Sequence, residues 1–152
     1  MSLRRFLHAA ALLLLSLSMT SMAATPAQTL STETVIDGYV VRHVIFNSTF
    51  LQPDAAKAYG LKRSGYESLL NISVNKVGEY NGEPVQLEGT VTNLMQQQKT
   101  LDFKEIKEKD AVYYLSPIRV NGEETIHIAL SVKVAGREEP LTLEFSHKVY
   151  SD

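Results

Sequence analysis

Along most of this chain the hydrophobic positions recur every second residue, which is the period of extended backbone and not of a helix. Between Ser68 and Val77, Leu70, Ile72 and Val74 alternate with Asn71, Ser73 and Asn75, so one face is apolar and the other polar. From Val85 to Asn93 the same rhythm sets Val85, Leu87, Gly89 and Val91 against Gln86, Glu88, Thr90 and Thr92. The stretch Thr34 to Asn47 is apolar on both faces, with Val40, Val44 and Phe46 against Tyr39, Val41 and Ile45, which predicts one central strand. Asn81-Gly82 tolerates the positive φ angles of a type I′ turn and predicts a hairpin between the strands that flank it.

The pattern repeats downstream. Ala111 to Val120, Asn121-Gly122 and Thr125 to Val134 read as strand, turn and strand; Gly136 and Pro140 bracket a further turn, and Leu141 to Val149 closes a C-terminal meander. Two segments break the rhythm. Pro53 to Tyr59 predicts a short helix, with Pro53 at the first helical position, Asp54 near the positive end and Gly60 as cap. Thr100 to Asp110 pairs Glu105 and Lys109 at helical spacing, yet Leu101 and Phe103 alternate; a strand ending in a charged turn is the reading adopted. Six or seven strands, hairpins and one crossover around the helix argue an all-β, antiparallel β-sandwich, immunoglobulin-like in architecture, with one short helix in an insert. A small β-barrel is the alternative.

The N-terminus changes the picture of where the chain works. Arg4 and Arg5 precede an apolar run from Phe6 to Leu17, and Ser21 and Ala23 suit a cut before Ala24, so residues 1–23 read as a cleavable signal peptide. The run is short of the ~20 residues that span a bilayer, and no transmembrane segment is expected in the mature chain. Residues 24–33 read as a flexible leader and residues 34–152 as a single β-rich domain. Removing the signal leaves 129 residues with 13 basic and 17 acidic side chains, a formal charge of −4. That balance disfavours nucleic acid and anionic membrane as partners. The chain has no cysteine, so stability rests on packing, and thiol catalysis and thiolate metal sites are excluded.

Candidate chemistry is sparse. His43, His127 and His147 show no His-x-His or His-x-x-x-His spacing, and no metal site or cofactor is expected. Pleat parity turns His127 outward and sets His147 beside Phe145 and Val149 at the margin of the core. There is no Gly-x-Ser-x-Gly elbow, and Glu105, Glu108 and Asp110 are interleaved with lysines as on a solvated face. Asn47-Ser48-Thr49 and Asn71-Ile72-Ser73 match the glycosylation acceptor pattern, but local side-chain-to-backbone bonding accounts for them better. The most distinctive stretch runs from Phe46 to Tyr66, where Phe46, Phe50, Leu51, Tyr59, Leu61 and Tyr66 surround the helix and Lys62-Arg63 adds charge. It either plugs one end of the sandwich or displays a recognition surface, with Asn47, Ser48, Thr49, Tyr59, Arg63 and Tyr66 as the candidate binding residues.

The runs Phe46-Asn47-Ser48-Thr49-Phe50-Leu51-Gln52-Pro53, Ala58-Tyr59-Gly60-Leu61-Lys62-Arg63-Ser64 and Leu70-Asn71-Ile72-Ser73-Val74 resemble an exported proteobacterial family. Phe103-Lys104-Glu105-Ile106 and Ala111-Val112-Tyr113-Tyr114 are similar too. It is the domain-of-unknown-function family numbered 4426. The resemblance implies a Gram-negative bacterium, a periplasmic address and no glycosylation; it implies no activity, cofactor or catalytic residue. The resulting expectation is a non-enzymatic interaction or accessory module of the cell envelope whose partner is another envelope protein. A small-ligand carrier is the alternative, and a hydrolase comes third because no acid–base pair or nucleophile stands out. The oligomeric state is left open.

Overall fold

A computed structural model describes residues 32–152. The signal peptide and nearly all of the leader therefore lie outside the described residues. Among the described residues nine strands carry the fold: β1 (Thr32–Ile36), β2 (Tyr39–Asn47), β3 (Glu67–Lys76), β4 (Val85–Asn93), β5 (Gln98–Thr100), β6 (Lys104–Glu108), β7 (Ala111–Arg119), β8 (Glu123–Val134) and β9 (Leu141–Tyr150). One sheet has the order β1-β2-β3-β7-β6 and the other β5-β4-β8-β9, and every pairing is antiparallel. The sheets stay separate and form a sandwich, not a barrel.

The alternation read from the sequence is what builds the core. Val41, Ile45, Leu70, Ile72 and Val74 from the first sheet meet Ile126, Ile128, Leu130, Val132, Leu141 and Val149 from the second. Each such side chain withdrawn from water contributes about 1.5–3 kcal/mol before the entropy of ordering the chain is set against it. Tyr114 adds a polar staple between the layers. Its hydroxyl on β7 accepts the Val85 N–H of β4 at 2.7 Å and lies 3.1 Å from Glu105 Oε2. Burial raises the Tyr114 pKa, so the hydroxyl keeps its proton to donate.

The connections differ from the sequence reading in an instructive way. The stretch Thr34–Asn47 is two strands, not one, because Asp37 and Gly38 (φ 48° and 83°) turn the chain between β1 and β2. The Asn81-Gly82 and Asn121-Gly122 segments are not hairpins. Each carries the chain across to the other sheet, β3 to β4 and β7 to β8. Gly82 serves close packing: a Cβ there would sit 2.5 Å from the Val112 backbone nitrogen. The helix region makes no crossover either, since β2 and β3, which flank it, are paired neighbours. The Leu141–Val149 strand pairs with β8 as expected, and the charged segment is the β6–β7 hairpin. The short strand β5 was not anticipated.

Among the described residues the two edge strands of the first sheet, β1 and β6, cover the same half of it. β1 pairs only with Tyr39–His43, and β6 only with Ala111–Leu115. That half includes the β1–β2 and β6–β7 turns and is called the turn end below. At the opposite end, where the β2–β3 insert sits, only β2, β3 and β7 continue among the described residues.

Candidate functional site

The β2–β3 insert is held by a polar clasp. Asn47 Oδ1 accepts from the Thr49 backbone N–H at 2.9 Å, and Asn47 Nδ2 donates to the Gly65 carbonyl at 3.2 Å. Ser48 is fully buried; its hydroxyl donates to the Ser64 carbonyl at 3.0 Å and accepts the Ser64 N–H at 2.8 Å. Thr49 Oγ1 lies 2.7 Å from Asn47 Oδ1 and 3.1 Å from Asp152 Oδ2, and Arg63 Nη2 donates to the Thr49 carbonyl at 2.9 Å. The sequence Asn-Ser-Thr therefore forms a side-chain-to-backbone turn that starts a 3-10 segment, Ser48–Phe50. Its polar atoms are occupied within the chain.

Beyond the clasp, helix α1 (Pro53–Tyr59) begins at Pro53 and ends on Gly60, which takes the left-handed conformation. The Gly60 N–H donates to the Lys57 carbonyl and the Leu61 N–H to the Ala56 carbonyl, the paired bonds of a Schellman cap. Ala56 is buried, and Tyr59 reaches the β6–β7 hairpin. Its hydroxyl bonds Glu108 and lies 3.4 Å from the Tyr113 hydroxyl, while Lys104 donates to the Tyr59 carbonyl. The insert thus lies over the outer face of the first sheet, where Leu69 and Leu115 are buried although their parity turns them away from the main core. Asn47, Ser48, Thr49, Arg63 and Tyr66 come together at the insert end; Tyr59 stands apart at the far end of the helix.

The same end exposes apolar surface of which the sequence reading had named Phe50 and Tyr66 but not the rest. Phe50, Leu94, Met95 and Tyr150 join Tyr66, and these five are between 53% and 75% exposed. Leu94 and Met95 form the tip of the β4–β5 turn, shaped by the Asn93 side chain, which accepts the Met95 and Gln97 N–H groups at 3.0 Å. Two adjacent apolar residues between Asn93 and three glutamines were the available signal.

Among the described residues a slot lies on each flank of this end, and the one beside β7 lies where β6 has stopped pairing. Between β2 and β9 lies a groove of 280 Å³ lined mainly by apolar groups, among them Ile45, Phe50, His147, Val149 and Tyr150. Between β7 and the β4–β5 hairpin lies one of 370 Å³, with Val91, Ile118 and Ile126 inside and Lys99 and Arg119 on its rim.

His43 and His147 face the seam between β2 and β9. His43 is 6% exposed and stacks on Phe145 with ring centroids 3.7 Å apart. Desolvation pulls both imidazoles below the ordinary histidine value, and for His43 the neighbouring His147 adds to the effect. His127 lies on the outer face of the second sheet, its Nδ1 2.6 Å from Ser146 Oγ. Among the described residues no three histidine, aspartate or glutamate side chains converge as metal ligands would.

Comparison with known proteins gives a consistent picture. The family described as Domain of unknown function (DUF4426) matches residues 33–152. The crystal structure of a DUF4426 family protein from Pseudomonas aeruginosa PAO1 superposes with a TM-score of 0.74 at 26% identity, covering 81% of this chain and 97% of that one. A copper-bound variant of FetP from uropathogenic Escherichia coli strain F11 gives a TM-score of 0.59 at 13% identity, covering 80% of this chain and 96% of that one. The as-isolated FetP of the same strain, produced in the E. coli periplasm, gives 0.56 at 14% identity, with 80% and 95% covered. At that identity the FetP likeness concerns the fold alone. No curated protein matches the chain.

Proposed function

The chain belongs to the DUF4426 family, and we propose that it is a periplasmic, non-enzymatic accessory module that docks another envelope protein on its insert end. The observation that carries this reading is the pairing of five exposed large apolar side chains with flanking slots on a clasp whose own polar groups are internally bonded. A surface of that kind is pre-organised, so a partner binding there has little ordering entropy to overcome. The signal-like N-terminus supports the location. Asn47, Ser48, Thr49 and Arg63 act in this scheme as the scaffold, and Tyr66 as part of the contact surface.

Copper, which FetP holds in one of its structures, is a poor fit to the donors that the described residues of this chain bring together. His43 and His147 share the seam but find no third histidine or carboxylate among the described residues, and Met95 sits on the opposite flank. Soft-metal sites draw on thiolate, thioether and imidazole together, and that set is not assembled here.

The test is site-specific photo-crosslinking in cells at native expression, with the crosslinker placed at the Phe50 or Tyr150 position and, as control, at Tyr80 on the turn end. One dominant envelope-protein adduct from the first two positions and none from the third is the expected result. Equal background labelling from all three would end the proposal.

A further inference from the structure

We propose that the slot between β7 and the β4–β5 hairpin is a binding site for an amphiphilic anion: an acyl chain carrying a carboxylate or phosphate head. Three observations meet there. An apolar strip runs through a mixed lining: Ile118 and Ile126, which are buried, Val91, and Met95 at the turn above, beside polar groups such as Asn93 and Thr100. Its rim carries Lys99 and Arg119, and neither cation makes an ion pair among the described residues. The one acid on the rim, Glu124, is turned to a local task, with Oε1 accepting the Asn121 N–H at 3.1 Å. Two cations without an ion pair among the described residues, beside an apolar strip, complement a ligand that is apolar at one end and negative at the other.

The slot suits a small amphiphile better than a peptide strand. Among the described residues nothing pairs the outer edge of Ser116–Arg119, yet that edge contains Pro117, which has no N–H to offer an added strand. The volume of 370 Å³ lies near the lower end of the range for small-molecule sites, about 300–1,000 Å³, so a short or partly inserted chain is expected. Arg119 and Lys99 come from different sheets, β7 and β5, and a bound head group would tie the two layers together where β6 does not reach.

Calorimetric titration of the purified protein with decanoate, below its micelle concentration, tests the site. Saturable binding is expected, weakened about tenfold in the Lys99→Glu/Arg119→Glu variant and weaker for decanol than for decanoate. Met95→Glu, at an exposed position that folding tolerates, is expected to weaken binding as well, whereas Tyr80→Ala on the turn end leaves it unchanged. Sedimentation with phosphatidylglycerol vesicles distinguishes the source. Capture of vesicles without decanoate binding, lost in the charge-reversed variant, assigns the head group to a membrane lipid; decanoate binding alone assigns it to a free acid. Absence of both, equal affinity for decanol, or binding indifferent to the two charge reversals overturns the proposal.

Discussion

At the turn end of the sandwich the first sheet is five strands wide, Tyr114 bonds across to β4, and the Glu105–Lys107 pair sits on the outermost strand. At the insert end the same sheet narrows to β2, β3 and β7 among the described residues, and a clasp of short polar side chains holds the chain together in place of further strands. One end is stabilised by backbone ladders, the other by side-chain-to-backbone bonds that leave the flanks open. The lesson is that a sandwich can expose its interior locally without losing its core, because the core residues lie on the long strands common to both ends.

Four experiments sharpen that contrast. Leu70→Ala strikes the core shared by both ends, and equilibrium urea unfolding should register a loss of about 2–5 kcal/mol. Ser48→Ala removes both bonds to Ser64 from a fully buried site, at a cost of about 1–3 kcal/mol. Hydrogen exchange should then rise over residues 47–66 and stay unchanged on β1 and β6; uniform acceleration would show that the ends are not separable.

Acidification is the third. His43 and His147 have pKa values depressed in the folded state, so the unfolded chain binds more protons once the pH falls below the ordinary value near 6.5. Their contribution is therefore complete above that pH and declines as the pH drops through the lowered folded values. Unfolding midpoints measured from pH 7.5 to 5 should fall, and His43→Phe should flatten the fall; a midpoint that rises on acidification contradicts the assignment. The smallest effect is expected from Phe50→Ser with Tyr150→Ser, within about 0.5 kcal/mol of the parent in stability because both side chains are exposed. Partner capture, in contrast, should drop sharply.

Much of the strand content was legible because burial of one face enforces period two, as in β3, β4 and β9. The helix was legible from Pro53 and Gly60. Connectivity was not. An Asn-Gly pair announces a turn but not whether the next strand returns to the same sheet, and at Gly82 the glycine answers a steric demand from Val112, 30 residues downstream. Val35-Ile36 and Tyr39-Val40 carry apolar character across the Asp37-Gly38 turn and conceal it. β5, with all three of its residues exposed, has no hydrophobic signature. The insert was recognisable as distinctive, but the slots were not, because they depend on how the two sheets meet at that end and, beside β7, on where β6 stops pairing, a property of the assembled sheets and not of any local pattern.

The crossings β3 to β4 and β7 to β8 also govern the order in which the molecule can be made. β3 cannot gain its β7 partner until residue 119 has been synthesised, and β8 has only β4 beside it until β9 arrives at the last ten strand residues. The first sheet is complete only once Arg119 has been made and the second only once β9 has, so the sandwich stays open until its last strand is available, and the rate of folding is tied to long-range pairing. A polypeptide that remains open until its last strand is delivered is one that can still be threaded.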